Sequence, residues 1–213
     1  MPYAMIHLGI AKKLTEKMKI INISDFYLGT ISPDAVHLRK NYRESKNISH
    51  LRDNWRSYDL ILQNAKAFML DNNSHEYRDF YMGYGIHVMT DVYWQKYLDA
   101  IEFELLHSRD PNPVHSDRLD AYYNESDILD IRLFKEYEHT TTIWNYFSKA
   151  RSIGIDGLVS AEEVLSLYSG VLERFEKRKD EYVSPTRYIV YDEVLSFIDE
   201  TAVKIYDYLH CHK

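Results

Sequence analysis

Apolar side chains recur along this chain at spacings of three and four, and the longest stripe runs through Phe80, Tyr84, His87, Asp91, Trp94, Leu98, Ile101 and Leu105. Such steps return a side chain to one face of an α-helix. They predict a long helix over about 80–105 that faces a core. Tyr3, His7, Ile10, Leu14 and Met18 repeat the pattern and predict a first helix that ends at Lys19. A shorter helix from Ser24 stops before Ser32-Pro33, because the residue preceding a proline avoids helical backbone angles. Residues 35–48 are polar and charged, and read as loop.

Further along, Asp110-Pro111-Asn112-Pro113 breaks the chain, and a helical region follows from about Ser126 to Lys149. Gly154 and Gly157 mark a joint. Ser160 and Glu163 have the spacing of a capping box, and they open a helix that carries Val164, Tyr168, Val171 and Phe175 on one face. A last helix follows Pro185 through Val194, Ile198, Ala202, Ile205 and Leu209. The charged run Glu173 to Glu181 reads as a solvated helix end. The whole predicts an all-α, multi-helix bundle of six or more helices. Residues 1–150 form one unit, and 158–213 a C-terminal helical hairpin packed on it or appended to it.

Composition narrows the choice. Seven Gly and five Pro in 213 residues leave little material for hairpin turns, which excludes sandwiches, barrels and dinucleotide-binding sheets. A net charge of −7 repels polyanions, so stable binding to duplex nucleic acid is not expected. The longest uncharged stretches, Met1–Ala11 and Phe80–Thr90, are 11 residues each, short of the roughly 18 that span a bilayer. No transmembrane segment is predicted. The basic pair Lys12-Lys13 follows the first apolar run, whereas a secretory signal places its positive charge before it. With one cysteine, Cys211, these features predict a cytoplasmic protein.

The anomaly in the pattern is chemical. His87 and Asp91 occupy the middle of the apolar stripe, four residues apart, where both point inward and one cation can touch both. A buried carboxylate needs a cationic partner, metal or base. The bland reading is an internal His–Asp hydrogen bond. His7 lies on the inward face of the first helix. Asp34 follows Pro33 where a helix has ended, a place from which a short carboxylate can be aimed into a cleft or cap the next turn. His50 has no periodic reason for its position, and a surface His is its bland reading. His37, three residues past Asp34, is a supporting group or a replacement ligand. Gly83 and Gly85 inside a helix suggest close approach by another backbone or by substrate. Between Arg39 and Arg56 the positive Arg39, Lys40, Arg43, Lys46, Arg52 and Arg56 outnumber Glu44 and Asp53, a patch that either draws in a phosphate anion or is a solvated loop.

Taken in order, Met5-Ile6-His7-Leu8, Phe26-Tyr27-Leu28-Gly29-Thr30-Ile31-Ser32-Pro33-Asp34, Ser49-His50-Leu51 and Met82-Gly83-Tyr84-Gly85-Ile86-His87-Val88-Met89-Thr90-Asp91 resemble the zinc-dependent phospholipase C family over about residues 3–98. The resemblance implies the all-α fold shared with P1-type single-strand nucleases, a metal-binding hydrolase domain over 1–150, and a zinc cluster on His7, Asp34, His50, His87 and Asp91. In that arrangement Asp91 bridges, and Asp34 is both ligand and candidate base. The family's further His and later H-x-x-x-E pair have no counterpart, since His107, His115 and His139 lack a Glu four residues on. One tight zinc and at most two are therefore expected, with manganese or iron as alternatives. The implied activity is hydrolysis of a small phosphoester by metal-bound hydroxide attacking phosphorus. The contrasting reading is a non-enzymatic helical binding module with a structural metal. An HD-type phosphohydrolase is disfavoured because no His-Asp dipeptide occurs.

Overall fold

The computed structural model describes residues 3–52, 57–104 and 115–210, without the side chains of residues 38, 101–104 and 115–121. Among these residues there are nine α-helices and no strand: α1 (Ala4–Thr15), α2 (Ile23–Gly29), α3 (Tyr42–Ser49), α4 (Tyr58–Asp71), α5 (Arg78–Glu104), α6 (His115–Glu136), α7 (Thr140–Phe147), α8 (Ala161–Arg178) and α9 (Tyr191–His210). A 3-10 helix, Ser32–Leu38, lies between α2 and α3. The fold is all-α, as the periodicity predicts. The Asp110–Pro113 break lies outside the described residues.

Two helices sit at the centre. On α1 eight of twelve residues are buried, Met5 to Ala11 and Leu14, so this helix is apolar nearly all round rather than striped. The N-terminal half of α5 is likewise enclosed: Phe80, Tyr84, Ile86, Val88 and Met89 have no exposed surface. Around them α2 and α4 pack on α5, α9 packs on α1 and α5, and α6 and α7 pack on α1.

Buried polar anchors fix the helix ends. The carboxylate of Asp130 on α6 accepts the Met5 backbone N–H at 2.7 Å, one of the donors a helix start leaves unmatched. Arg174 on α8 pairs with the same Asp130 and, at 2.8 Å, with Asp127. Asp79, at the start of α5, accepts the N–H groups of Ile21 and Asn22 at 2.8 and 2.6 Å and so ties the entrance of α2 to α5. Glu125 accepts the N–H groups of Arg187, Tyr188 and Ile189 before α9. Glu163 completes the predicted capping box on Ser160 and holds Arg39 through paired bonds of 2.6 and 2.7 Å. That contact joins α8 to the end of the 3-10 helix.

Three expectations need correction. Residues 35–48 are not loop: they carry most of the 3-10 helix and α3. The only buried residues of α3 are Ser45 and Ser49, so its inner face is made of small polar residues that hydrophobic periodicity does not register. The region 126–149 is two helices. The chain leaves α6 at Glu136, and the Thr140 hydroxyl donates to the Leu133 carbonyl at 3.1 Å beside the Tyr137 N–H that makes the last helical bond. The run Glu173–Glu181 is only partly solvated, because Arg174 and Arg178 turn inward to Asp130 and Asp127.

α2 and α5 cross with their backbones in contact. A Cβ on Gly83 would stand 2.1 Å from the Phe26 carbonyl oxygen, and one on Gly29 2.2 Å from the Phe80 carbonyl oxygen. Only glycine permits backbones this near. Gly85 differs, since its nearest neighbour is the flexible Met69 side chain at 2.5 Å. Gly157 supplies a turn at φ +78° inside the predicted joint. We therefore expect Gly83→Ala and Gly29→Ala to destabilise at or above the top of the about 1–3 kcal/mol range typical of overpacking. Gly170→Ala, in α8 with open space around it, should stabilise by about 0.5–1 kcal/mol. Chemical denaturation of the three variants checks the ordering, and equal effects would contradict the crossing.

Candidate metal centre

The α2–α5 crossing delivers the first site residue. Thr30, next after Gly29, presents its carbonyl to His87, whose Nδ1–H donates to it at 2.8 Å. That bond orients the ring and leaves the Nε2 lone pair facing inward. His50 is oriented by Ser49, whose hydroxyl lies 3.3 Å from the Lys46 carbonyl and 2.9 Å from His50 Nδ1; donating to the carbonyl, it accepts from Nδ1–H, the tautomer that frees Nε2. Tyr84 on α5 donates to the Ser49 carbonyl at 2.6 Å and pins the end of α3. The two Nε2 atoms end 3.3 Å apart. With both Nδ1 atoms protonated, two lone pairs at that distance repel unless a cation lies beside them.

Two carboxylates complete the cluster. Asp34 Oδ1 lies 3.3 Å from His50 Nε2 and 3.9 Å from His87 Nε2. Asp91 Oδ2 is 3.4 Å from His50 Nε2, and its Oδ1 is 3.9 Å from His87 Nε2 and 3.7 Å from His7 Nε2. The His7 ring stacks on His87 with centroids 4.0 Å apart. Five residues from α1, the 3-10 helix, the end of α3 and α5 thus converge, and all five predicted from sequence are brought together. Donor atoms of Asp34, His50 and His87, and of His7, His87 and Asp91, form two groups compact enough to hold an ion. His87 belongs to both, but its Nε2 has one lone pair, so the groups cannot each be filled in full.

The donor set fits a metal. His7 Nδ1 and Nε2, Asp34 Oδ1 and Asp91 Oδ1 are buried and have no hydrogen-bond partner among the described residues, a costly state that a cation relieves. Imidazole and carboxylate donors suit zinc and its neighbours. Protonation is already appropriate. Burial pushes the His50 imidazole down to about 4 against the pull of the carboxylates. Burial, reinforced by His87, takes His7 well below its ordinary value. Burial alone would raise Asp34, but His50, 3.3 Å away, and the neighbouring His87 and His37 imidazoles outweigh it, and the carboxyl titrates below the usual range. The same balance, led among the imidazoles by His87, lowers Asp91. Metals require these deprotonated forms.

The cluster is closed on most sides. His50 and His87 have no exposed side-chain surface and Asp91 1 %, while Asp34 keeps 18 % and the adjacent His37 40 %. His37 Nε2 sits 3.3 Å from Asp34 Oδ1, a supporting position at the open edge. The sequence reading missed Arg52, whose Nη2 donates to Asp91 Oδ2 at 2.9 Å. The basic patch does not act as one unit. Arg39 is spent on Glu163, Lys40 and Arg43 are exposed, and Asp53 and Arg56 lie outside the described residues. So do His107, Cys211, His212 and the side chain of His115. His139 occupies the N-cap position of α7 beside Glu138, without a side-chain cap bond, and His75 lies in the exposed turn before α5.

No helix among the described residues is long and apolar enough to cross a membrane. No curated protein and no solved structure matches the chain. The family model described as zinc dependent phospholipase C matches residues 6–126, a span that contains all five clustered residues and Arg52. That match covers more than half of the 213 residues and accords with the all-α bundle, and on these grounds the chain belongs to the zinc-dependent phospholipase C family.

Proposed function

We propose that the chain is a metal-dependent hydrolase of small phosphoesters, a phospholipase C-like phosphodiesterase, with His7, Asp34, His50, His87 and Asp91 as its metal ligands. The observation that carries this reading is the inward-facing Nε2 pair of His50 and His87, 3.3 Å apart, with unpartnered carboxylate oxygens of Asp34 and Asp91 beside it. Asp34, His50, His87 and Asp91 would hold one zinc tightly. His7 with the second oxygen of Asp91 would hold a weaker one, for two at most, and manganese or iron suits the same donors. Bound there, the metal supplies a Lewis acid and lowers the pKa of water toward about 7.

The remaining work falls to the chain. The Thr30 carbonyl and the Ser49 hydroxyl keep the two imidazoles in the tautomer that presents Nε2. Among the described residues the cluster is open where Asp34, His37 and Arg52 keep exposed surface, and substrate enters from that side. Asp34, partly exposed and held ionised, would take up a proton on the carboxylate oxygen that does not face the imidazoles. Residues 1–150 carry this chemistry, and 158–213 support it through the Glu163–Arg39 contact behind the 3-10 helix. One cysteine calls for no oxidising compartment, and we assign the activity to the cytoplasm.

Two measurements test the reading. The zinc-loaded chain should hydrolyse an activated phosphodiester such as bis(p-nitrophenyl) phosphate, lose that activity to a chelator and regain it with zinc or manganese. A chain that holds zinc yet turns over neither monoester nor diester would instead be a binding module with a structural metal. His87→Ala and Asp91→Asn should weaken zinc binding beyond the about 10–100-fold that losing a ligand's supporting hydrogen bond costs, and should abolish the rise in melting temperature on zinc addition. Unchanged zinc affinity in either variant would remove that residue from the ligand set.

A further inference from the structure

Arg52 is the one guanidinium recorded at the cluster, and its setting is unusual. The chain ends α3 in a turn where the Arg52 N–H bonds the Asn47 carbonyl at 2.9 Å and the Leu51 N–H bonds the Ile48 carbonyl at 3.0 Å. This pair of bonds requires a left-handed residue at Leu51, whose φ is +54°. Glycine usually fills that place, because a side chain there is strained. Leu51 is the only non-glycine residue with positive φ among those described. The strain has a visible result: His50 and Arg52, on either side of Leu51, both reach Asp91, at 3.4 and 2.9 Å.

The guanidinium is only partly used. One terminal nitrogen rests on Asp91 Oδ2, whereas Nε is buried with no hydrogen-bond partner among the described residues. A buried N–H without an acceptor is costly and rare. The side chain keeps 21 % of its surface exposed, so the group is reachable from solvent. Lys46, one turn before His50, is half-buried and close enough to feel the charges of Asp34 and Asp91. Planar guanidinium is the side chain best matched to a tetrahedral oxyanion, since it can direct two N–H groups at two oxygens.

We propose that Arg52 is the phosphoryl-binding residue of this site, holding Asp91 through one nitrogen and offering the rest of its partly exposed guanidinium to an oxygen of the substrate phosphate. The inference rests on the hydrolase reading above and deepens it by naming the group that recognises phosphate. It also gives Asp91 a counter-ion that does not need to be a metal. Arg52 and a bound cation then compete for Oδ2, so loss of Arg52 does not weaken metal binding.

The test uses the full chain, inorganic phosphate as probe, and Arg52→Gln and Arg52→Lys. Zinc affinity is read by competition with a chromophoric chelator, phosphate affinity of the zinc-loaded protein by calorimetry, and the fold by circular dichroism. Arg52→Gln should bind zinc as tightly as the parent or more so, and phosphate about 10–100-fold more weakly, the worth of a charged hydrogen bond. Arg52→Lys, which keeps the charge and loses the fork, should fall between. A parent chain that binds zinc but not phosphate overturns the inference alone, as does an Arg52→Gln variant whose phosphate affinity is unchanged. Parallel loss of zinc and phosphate in a folded Arg52→Gln makes Arg52 a mere support for Asp91 and also overturns it. A parent chain that takes up no zinc overturns the hydrolase reading and the inference together.

Discussion

The contact of α2 with α5 at Gly29 and Gly83 is the constraint on which the rest depends. Each glycine lies so near a carbonyl of the opposing helix that a methyl group would overlap its oxygen. Because the backbones touch, the carbonyl of the next residue, Thr30, comes within hydrogen-bonding range of the ring of His87, one turn beyond Gly83. The same placement lets Ser32-Pro33 start a 3-10 turn directly above α5, and Asp34 follows at the height of His87. A wider spacing between these helices would separate the carboxylate from the imidazole and leave both buried and unmatched.

Energetically the site is expensive, and its surroundings are arranged to sustain it. Two ionised carboxylates and three imidazoles enclosed in apolar walls would be untenable without cations. Arg52 supplies one, at the cost of a left-handed Leu51. The framework resists collapse because each contributing segment is anchored elsewhere: α1 by Asp130 and Arg174, the 3-10 helix by Arg39 and Glu163, the end of α3 by Tyr84. Such pre-set geometry is what a metal site needs, since ligands ordered in advance lose no further freedom on binding.

Much of this was legible in the sequence, for physical reasons that also mark the limit. The stripe from Phe80 to Trp94 announced a buried helix and made His87 and Asp91 conspicuous, because a charged pair in an apolar face must be matched. Gly83 was legible as a close approach, and Ser160 with Glu163 as a cap. α3 was not, because its inward residues are serines. The break between α6 and α7 was hidden, since neither glycine nor proline marks it. Arg52 looked like one of six positive charges in a loop. What distinguishes it, a left-handed residue between it and His50, is a backbone property with no composition signature when leucine takes the place of glycine. The role of Arg39 was equally invisible, as its partner lies 124 residues away.

The central claim is that the five clustered side chains hold a zinc ion, and diffraction from zinc-soaked crystals of the chain recorded on both sides of the zinc absorption edge tests it most directly. The account predicts an anomalous peak among His50 and His87 Nε2 and the carboxylates of Asp34 and Asp91, with any second peak on His7 and Asp91. Zinc-soaked crystals with no peak in the cluster, or with a third ion held by His107, His115 or His139, would contradict it.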